Sequence, residues 1–219
     1  MKDLKAIRGA DLVRRMIAEG EHEHQDFKFA ISDARKIARS ISAFANNSGG
    51  RLLIGVKDNG VIAGVRNEED VYMVELAAER YCRPAQQVEF KAYKIEGPVR
   101  VIVAEIAQAA TRPVAVAEAD GSLRAYYRVA DENIVADPLM VRAWQMSGSP
   151  EALPALSDRH YAFAALFADS GTTMQLRAAA LALHIGIATA EDMAARLVAA
   201  RILEFVHTPS GFLLRGTRE

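Results

Sequence analysis

Cysteine is nearly missing from this sequence: Cys82 is the only one in 219 residues. That excludes an internal disulfide and any zinc site built on paired cysteines. No apolar run approaches the ~18 residues that a membrane span needs. Residues 1–10 carry charges where a signal peptide would be apolar, so a cytoplasmic protein with no membrane contact is expected. There is no GxxxxGK[ST], so the phosphate cradle of a Walker-type ATPase is lacking. Neither sign of charge prevails, with 27 Lys and Arg against 28 Asp and Glu. The chain as a whole is therefore not a polybasic nucleic-acid binder, and any grip on phosphate must come from a local patch.

What is present is the composition of a folded protein, 51% hydrophobic and 25% charged. Ser147-Gly148-Ser149-Pro150 and Pro154 interrupt the periodic pattern. They place a linker at 149–156 between a first domain, 1–148, and a second, 157–219. In the first, residues 4–18 read as a helix stopped by Gly20, and 24–29 alternate so that Phe27 and Phe29 share a core face. Ser32 opens a helix carrying Ala34, Ile37, Ile41, Phe44 and Ala45 at helical spacing. Residues 51–56 and 61–65 flank the Asn59-Gly60 turn as a hairpin. A helix over 69–81 must end before Pro84. Strands are expected at 88–95, 99–106, 113–117 and 123–129, and a short helix from Asp137-Pro138 to Trp144. The tail reads as helices at 158–168, 174–184 and 190–202, then a hairpin over 205–214. That order is the order of a winged helix-turn-helix. The expected class is α+β: a mixed sheet with flanking helices, plus a small winged-helix-like domain.

The informative stretch is 21–64: Glu21, Asp26-Phe27-Lys28, then Ala43-Phe44-Ala45-Asn46-Asn47-Ser48-Gly49-Gly50, then Ile54-Gly55-Val56-Lys57-Asp58-Asn59-Gly60, and Gly64. These motifs, with the later Tyr126-Tyr127-Arg128-Val129, resemble the Schlafen AlbA-type (divergent AAA-4) domain family over about residues 12–146. Asp26 stands where that pattern has Glu, and Asn47 where it has Thr. Asp is one methylene shorter, which moves a carboxylate by about 1.5 Å.

The resemblance implies a nucleic-acid-binding protein, a DNA-binding transcriptional regulator, with DNA or RNA as partner and a homodimer as a further option. Lys28, Arg35, Lys36, Arg39 and Arg51 form the best local cationic set, and Arg128 beside two tyrosines joins it. The alternatives are a metal-dependent ribonuclease and a protein-interaction module. In the nuclease reading, the resemblance implies that Glu21, Asp26 and Asp58 converge on a divalent metal; in the leading reading no cofactor is needed. Gly49, Gly50 and Gly55 permit sharp turns and close backbone approach. Their bend follows a helix C-terminus, whose dipole disfavours anions, so a structural turn is the favoured role. His22 and His24 share a strand face, but no third ligand is fixed by sequence and no metal site is assigned to them. At the start of the Ala190 helix, Glu191 and Asp192 would repel phosphate, which favours a protein contact there.

Overall fold

The structure is a computed structural model that describes residues 5–65, 69–147, 156–169, 171–209 and 211–217. Contacts divide it into two units, Met1–Ala110 with Val114–Val135, and Thr111–Pro113 with Ala136–Glu219.

The first unit contains β1 (Ile7–Arg8), α1 (Ala10–Ala18), β2 (Gln25–Lys28), α2 (Ala34–Asn46), β3 (Gly50–Ile54) and α3 (Glu69–Leu76). A π-helical turn (Ala77–Tyr81) then leads into β4 (Cys82–Arg83), β5 (Val88–Lys94), β6 (Arg100–Ile106), β7 (Ala115–Ala117), β8 (Leu123–Val129) and β9 (Glu132–Val135). Five strands form a mixed sheet in the order β1-β5-β6-β3-β2, with parallel pairs at both ends and antiparallel pairs between. The other four form an antiparallel sheet, β4-β7-β8-β9. This is the α+β class with a mixed sheet and flanking helices that the sequence pattern implies.

Period-two alternation distributes the core. Leu52, Ile54, Ile102 and Ala104 face α2. Leu53, Val101 and Val103 face the opposite way, onto Val13 and Met16 of α1. On its far side α2 meets the four-stranded sheet through Val114, Val116 and Tyr126. It is thus a central helix between two sheets, apolar on most of its circumference. Of its 13 residues only Arg35, Lys36 and Arg39 escape burial. Asp33, rather than Ser32, caps it, its carboxylate accepting from the backbone N–H groups of Arg35 and Lys36.

Three details differ from the sequence pattern. Phe29 lies one residue beyond β2 and is 38% exposed, because the strand ends at Lys28. The Asn59-Gly60 hairpin shrinks to one bridge, Val56 to Ile62. Tyr126 and Arg128 face inward and Tyr127 is half-buried, so β8 has the reverse register to a surface arginine.

The second unit comprises α4 (Pro138–Ser147), α5 (Asp158–Ala165), β10 (Thr173–Met174), α6 (Leu176–Ala182), α7 (Ile187–Ala199), β11 (Leu203–Thr208) and β12 (Gly211–Gly216). Its three strands form an antiparallel sheet in the order β10-β12-β11. Phe163, Phe167, Leu197, Leu203 and Leu214 lie in its core. Most of the expected linker falls outside the described residues. The two units part at Val135–Ala136, so α4, which the turn signals leave with the first domain, belongs to the second. Met140, Ala143 and Trp144 are buried there, and Arg142 pairs with Asp192 of α7.

Candidate nucleic-acid interface

The motif residues at the C-terminal end of α2 tie the two sheets together. Asn46 Nδ2 donates to the carbonyls of Val114 and Tyr126, both at 2.9 Å, while its Oδ1 accepts from Val114 N at 2.7 Å. Asn47 Nδ2 donates to Arg128 O at 2.8 Å and to Glu23 Oε1 at 3.0 Å, and its Oδ1 accepts from Arg128 N at 3.2 Å. These amides satisfy backbone groups that no strand neighbour reaches. Beyond them the chain turns at Gly49, where φ is +81° and a Cβ would stand 2.9 Å from Ile106 O. At Gly55, φ is +95° and a Cβ would meet the Gly64 backbone at 2.8 Å. A Cβ on Gly50 would collide with the Phe44 ring. The glycines are there to let main chain pass main chain and an aromatic ring, and their role is structural.

The residues around β2 do something comparable. The carbonyls of His24 and Lys28 accept from Arg51 N and Gly55 N across the pairing with β3, so those of Gln25 and Phe27 point off the sheet edge. Side chains close that edge. Glu21 Oε1 accepts from Phe27 N at 2.8 Å, Lys28 Nζ donates to Phe27 O at 2.8 Å, and Arg128 Nη2 donates to Gln25 O at 3.2 Å. An edge strand with its polar groups occupied cannot recruit another strand.

Arg128 is fully buried, which corrects its assignment as a phosphate contact. Its guanidinium also donates to His22 O at 3.1 Å and Asn133 Oδ1 at 3.0 Å, approaches Asp26 Oδ1 at 3.4 Å, and lies 4.9 Å over the Phe44 ring. Every direction in which it could hold a ligand is taken by protein.

Three more of the six cations are paired. Lys28 meets Asp26 Oδ2 at 2.8 Å. Arg51 pairs with Glu19 and donates to Gln25 Oε1 at 2.6 Å. Arg39 forks onto Glu118, Nε to Oε1 at 3.0 Å and Nη2 to Oε2 at 2.7 Å. The Arg39 fork, assisted by the Tyr126 hydroxyl, holds the Glu118 carboxyl below the ordinary glutamate range against the opposing effect of burial. Tyr126 is itself pushed up to about 12 by burial and by Glu118. The cations therefore do not form one bare positive face.

Two have no acidic partner among the described residues, Arg35 and Lys36. Arg35 lies 4.9 Å over the Tyr81 ring, and Lys36 is exposed. Tyr81 carries with it Arg80 and Arg83, both exposed and with no acidic partner among the described residues. Arg80 and Arg83 escaped the sequence reading. Their signal, two arginines flanking an aromatic before a proline, is too short to separate from chance without the contact to α2.

Of the three carboxylates, the structure joins two. Burial, and after it the neighbouring Asp26 carboxyl, raise the Glu21 pKa. Burial works against ionisation of Asp26 too, but hydrogen bonds from Glu21 and Lys28 and the charges of Lys28 and Arg128 bring it below the ordinary range. Asp58 stays on the exposed turn at 57–60. Among the described residues, no three His, Cys, Asp or Glu side chains gather as a metal site. The three-carboxylate constellation is therefore not assembled: Glu21 closes a strand edge and Asp26 is paired with Lys28 and Arg128.

The family model described as Schlafen, AlbA_2 matches residues 21–137, more than half of the chain. The chain belongs to the Schlafen AlbA_2 family. Membership relates it to nucleic-acid function in general terms. The matched segment of this Schlafen AlbA_2 protein begins at Glu21, the first residue of the edge network, and runs through all the motif residues described above. No curated protein matches it. Among solved structures it is similar to the DIP2311 protein of Corynebacterium diphtheriae, at 19% identity and a TM-score of 0.45, over 87% of this chain and 34% of that one. The chain thus spans about a third of that protein's length. Among the described residues, no single helix is long and apolar enough to cross a membrane.

Proposed function

We propose that the Schlafen AlbA_2 unit binds the phosphate backbone of a nucleic acid where the first turns of α2 reach the surface. The observation that carries this reading is that Arg35 and Lys36, and Arg80 and Arg83 on the segment whose Tyr81 lies against Arg35, have no acidic partner among the described residues. Four cations without acidic partners on two segments that touch through Arg35 and Tyr81 are an electrostatic footprint for phosphate, and each phosphate neutralised releases counterions. Arg39 stands next to them but is committed to Glu118.

In its finer form the proposal is a DNA-binding regulator. The helix–strand–helix–helix–strand–strand order from α5 to β12, with its three-stranded antiparallel sheet, supports reading the second unit as a winged-helix-like module. Its α7 is poorly suited to reading DNA. The exposed residues of its first turns are Ile187, Ala188, Thr189 and Glu191, and Asp192 is held by Arg142 and Arg196. Contact with phosphate is accordingly assigned to the first unit, and contact with protein, including a second copy, to the second.

Titration of the full chain against single- and double-stranded DNA and RNA at several salt concentrations tests this. Four phosphate contacts to duplex DNA give a slope of log K against log salt of about −3 to −4. Charge reversal at Arg35, Lys36, Arg80 and Arg83 together should abolish binding while leaving the thermal midpoint near wild type. Retained binding in that variant rejects the interface.

A further inference from the structure

A cavity of about 340 Å³ opens within the second unit, between the start of α4, the N-terminal ends of α6 and α7, and the β11–β12 hairpin. That volume is in the range of small-molecule sites. Its walls are mainly apolar, formed by Leu139, Leu176, Phe205, Phe212 and Leu214. The two phenylalanines meet edge-on with ring centroids 6.1 Å apart, so they present a rigid aromatic corner.

Pro138 and three charged residues, Asp137, Arg142 and Glu191, complete the lining. The three charges are not equivalent. Arg142 enters already paired, its guanidinium on Asp192, whose other oxygen takes Arg196 Nε at 2.6 Å. Asp137 accepts from Leu139 N at 2.8 Å at the start of α4 and meets no cation. Glu191 is exposed and has no hydrogen-bond or ion-pair partner among the described residues. The uncompensated charge around an otherwise apolar and aromatic cavity is therefore negative. Aromatic faces also attract cations.

We propose that this cavity is a binding site for a small lipophilic amine, its ring or alkyl body against Phe205, Phe212 and the leucines and its ammonium group toward Glu191. The site lies wholly in the second unit and does not depend on the phosphate-binding surface proposed for the first. An anion would have to compete with Asp192 for Arg142 and would meet Glu191 and Asp137 unshielded. A neutral ligand would gain the apolar contacts alone.

Three probes of one shape separate these cases: 4-phenylbutylamine, 4-phenylbutanol and 4-phenylbutanoate, each titrated calorimetrically into the full chain. The amine should saturate one site and bind about fivefold tighter than the alcohol, the worth of one partly solvated ion pair. The carboxylate should bind most weakly. Glu191→Gln, a surface change that leaves the core intact, should bring the amine down to the level of the alcohol and leave the alcohol unchanged. Phe212→Leu should weaken amine and alcohol together, with the thermal midpoint of each variant recorded alongside. Absence of saturable binding, equal affinity for all three probes, preference for the carboxylate, or amine binding that survives Glu191→Gln would each overturn the proposal.

Discussion

The two ends of α2 use the same kinds of side chain for opposite purposes. At the C-terminal end, Asn46, Asn47 and Arg128 are buried, and their polar groups are spent on backbone and on Asp26. At the N-terminal end, Arg35 and Lys36 escape burial and have no acidic partner among the described residues. The residues that make the family recognisable belong to the first group. The comparison teaches that a motif rich in polar groups and glycine can be a device for joining two sheets. Residues available for binding then lie elsewhere on the helix, at positions with no special spacing.

The largest expected effect tests the buried end. Arg128→Ala leaves Asp26 buried with one cation fewer and removes one of the two donors to each of the carbonyls of His22 and Gln25. It should cost about 3–5 kcal/mol in urea unfolding. A loss below about 1 kcal/mol would mean that the guanidinium is not structural and would dissolve the contrast between the two ends. Asn47→Ala should cost about 1–3 kcal/mol, since it strands buried backbone groups of Arg128. Equal stability of that variant and wild type would show that water can replace the amide.

A smaller effect is set by pH. Folded Glu118 ionises below its ordinary value of 4.5 because of the Arg39 fork. The unfolded chain therefore takes up a proton first as pH falls. The stabilisation is complete well above pH 4.5 and disappears as pH drops through the folded value. Glu118→Gln should flatten the stability profile in that acid window. Glu21 has the opposite sign: its raised pKa favours the folded state at low pH, and that contribution is lost as pH rises past the ordinary glutamate value. A Glu118→Gln profile that runs parallel to wild type would show that the Arg39–Glu118 fork is open in solution. The smallest effect is at Lys36. Lys36→Ala should change stability by no more than about 0.5 kcal/mol, yet lower the salt slope of nucleic-acid binding by about 1. An unchanged slope would remove Lys36 from the interface.

Much of the scaffold was readable before any coordinates. The run of Ile37, Ile41, Phe44 and Ala45 defines the buried side of α2, and the strand expected at 99–106 forms as β6, Arg100–Ile106. The glycine bend was legible because its conformation leaves few other residues. The short strands β1, β4, β9 and β10 were missed, β1 inside the helix read over 4–18, being two to four residues long and defined by their partners rather than by pattern. The division at Val135–Ala136 was missed because turn chemistry marks where a chain bends, not which core a helix joins.

The candidate site was less legible. Six cations could be named, but not their partners. Arg39 meets Glu118 from 79 residues away, and Arg128 reaches Gln25 across 103. Whether a charge is free depends on contacts made at such separations, and no local spacing encodes them.

By itself the sequence determined the helices, the glycine turn, the alternating strands and the family, since each follows from propensities and periodicities that act over a few residues. Tertiary structure alone decided which cations stay available, that Glu21 closes a strand edge while Asp26 pairs with Lys28 and Arg128 away from Asp58, and that an aromatic cavity edged by Glu191 exists. Charge pairing and cavity formation arise only when remote segments are packed together and water is excluded from between them.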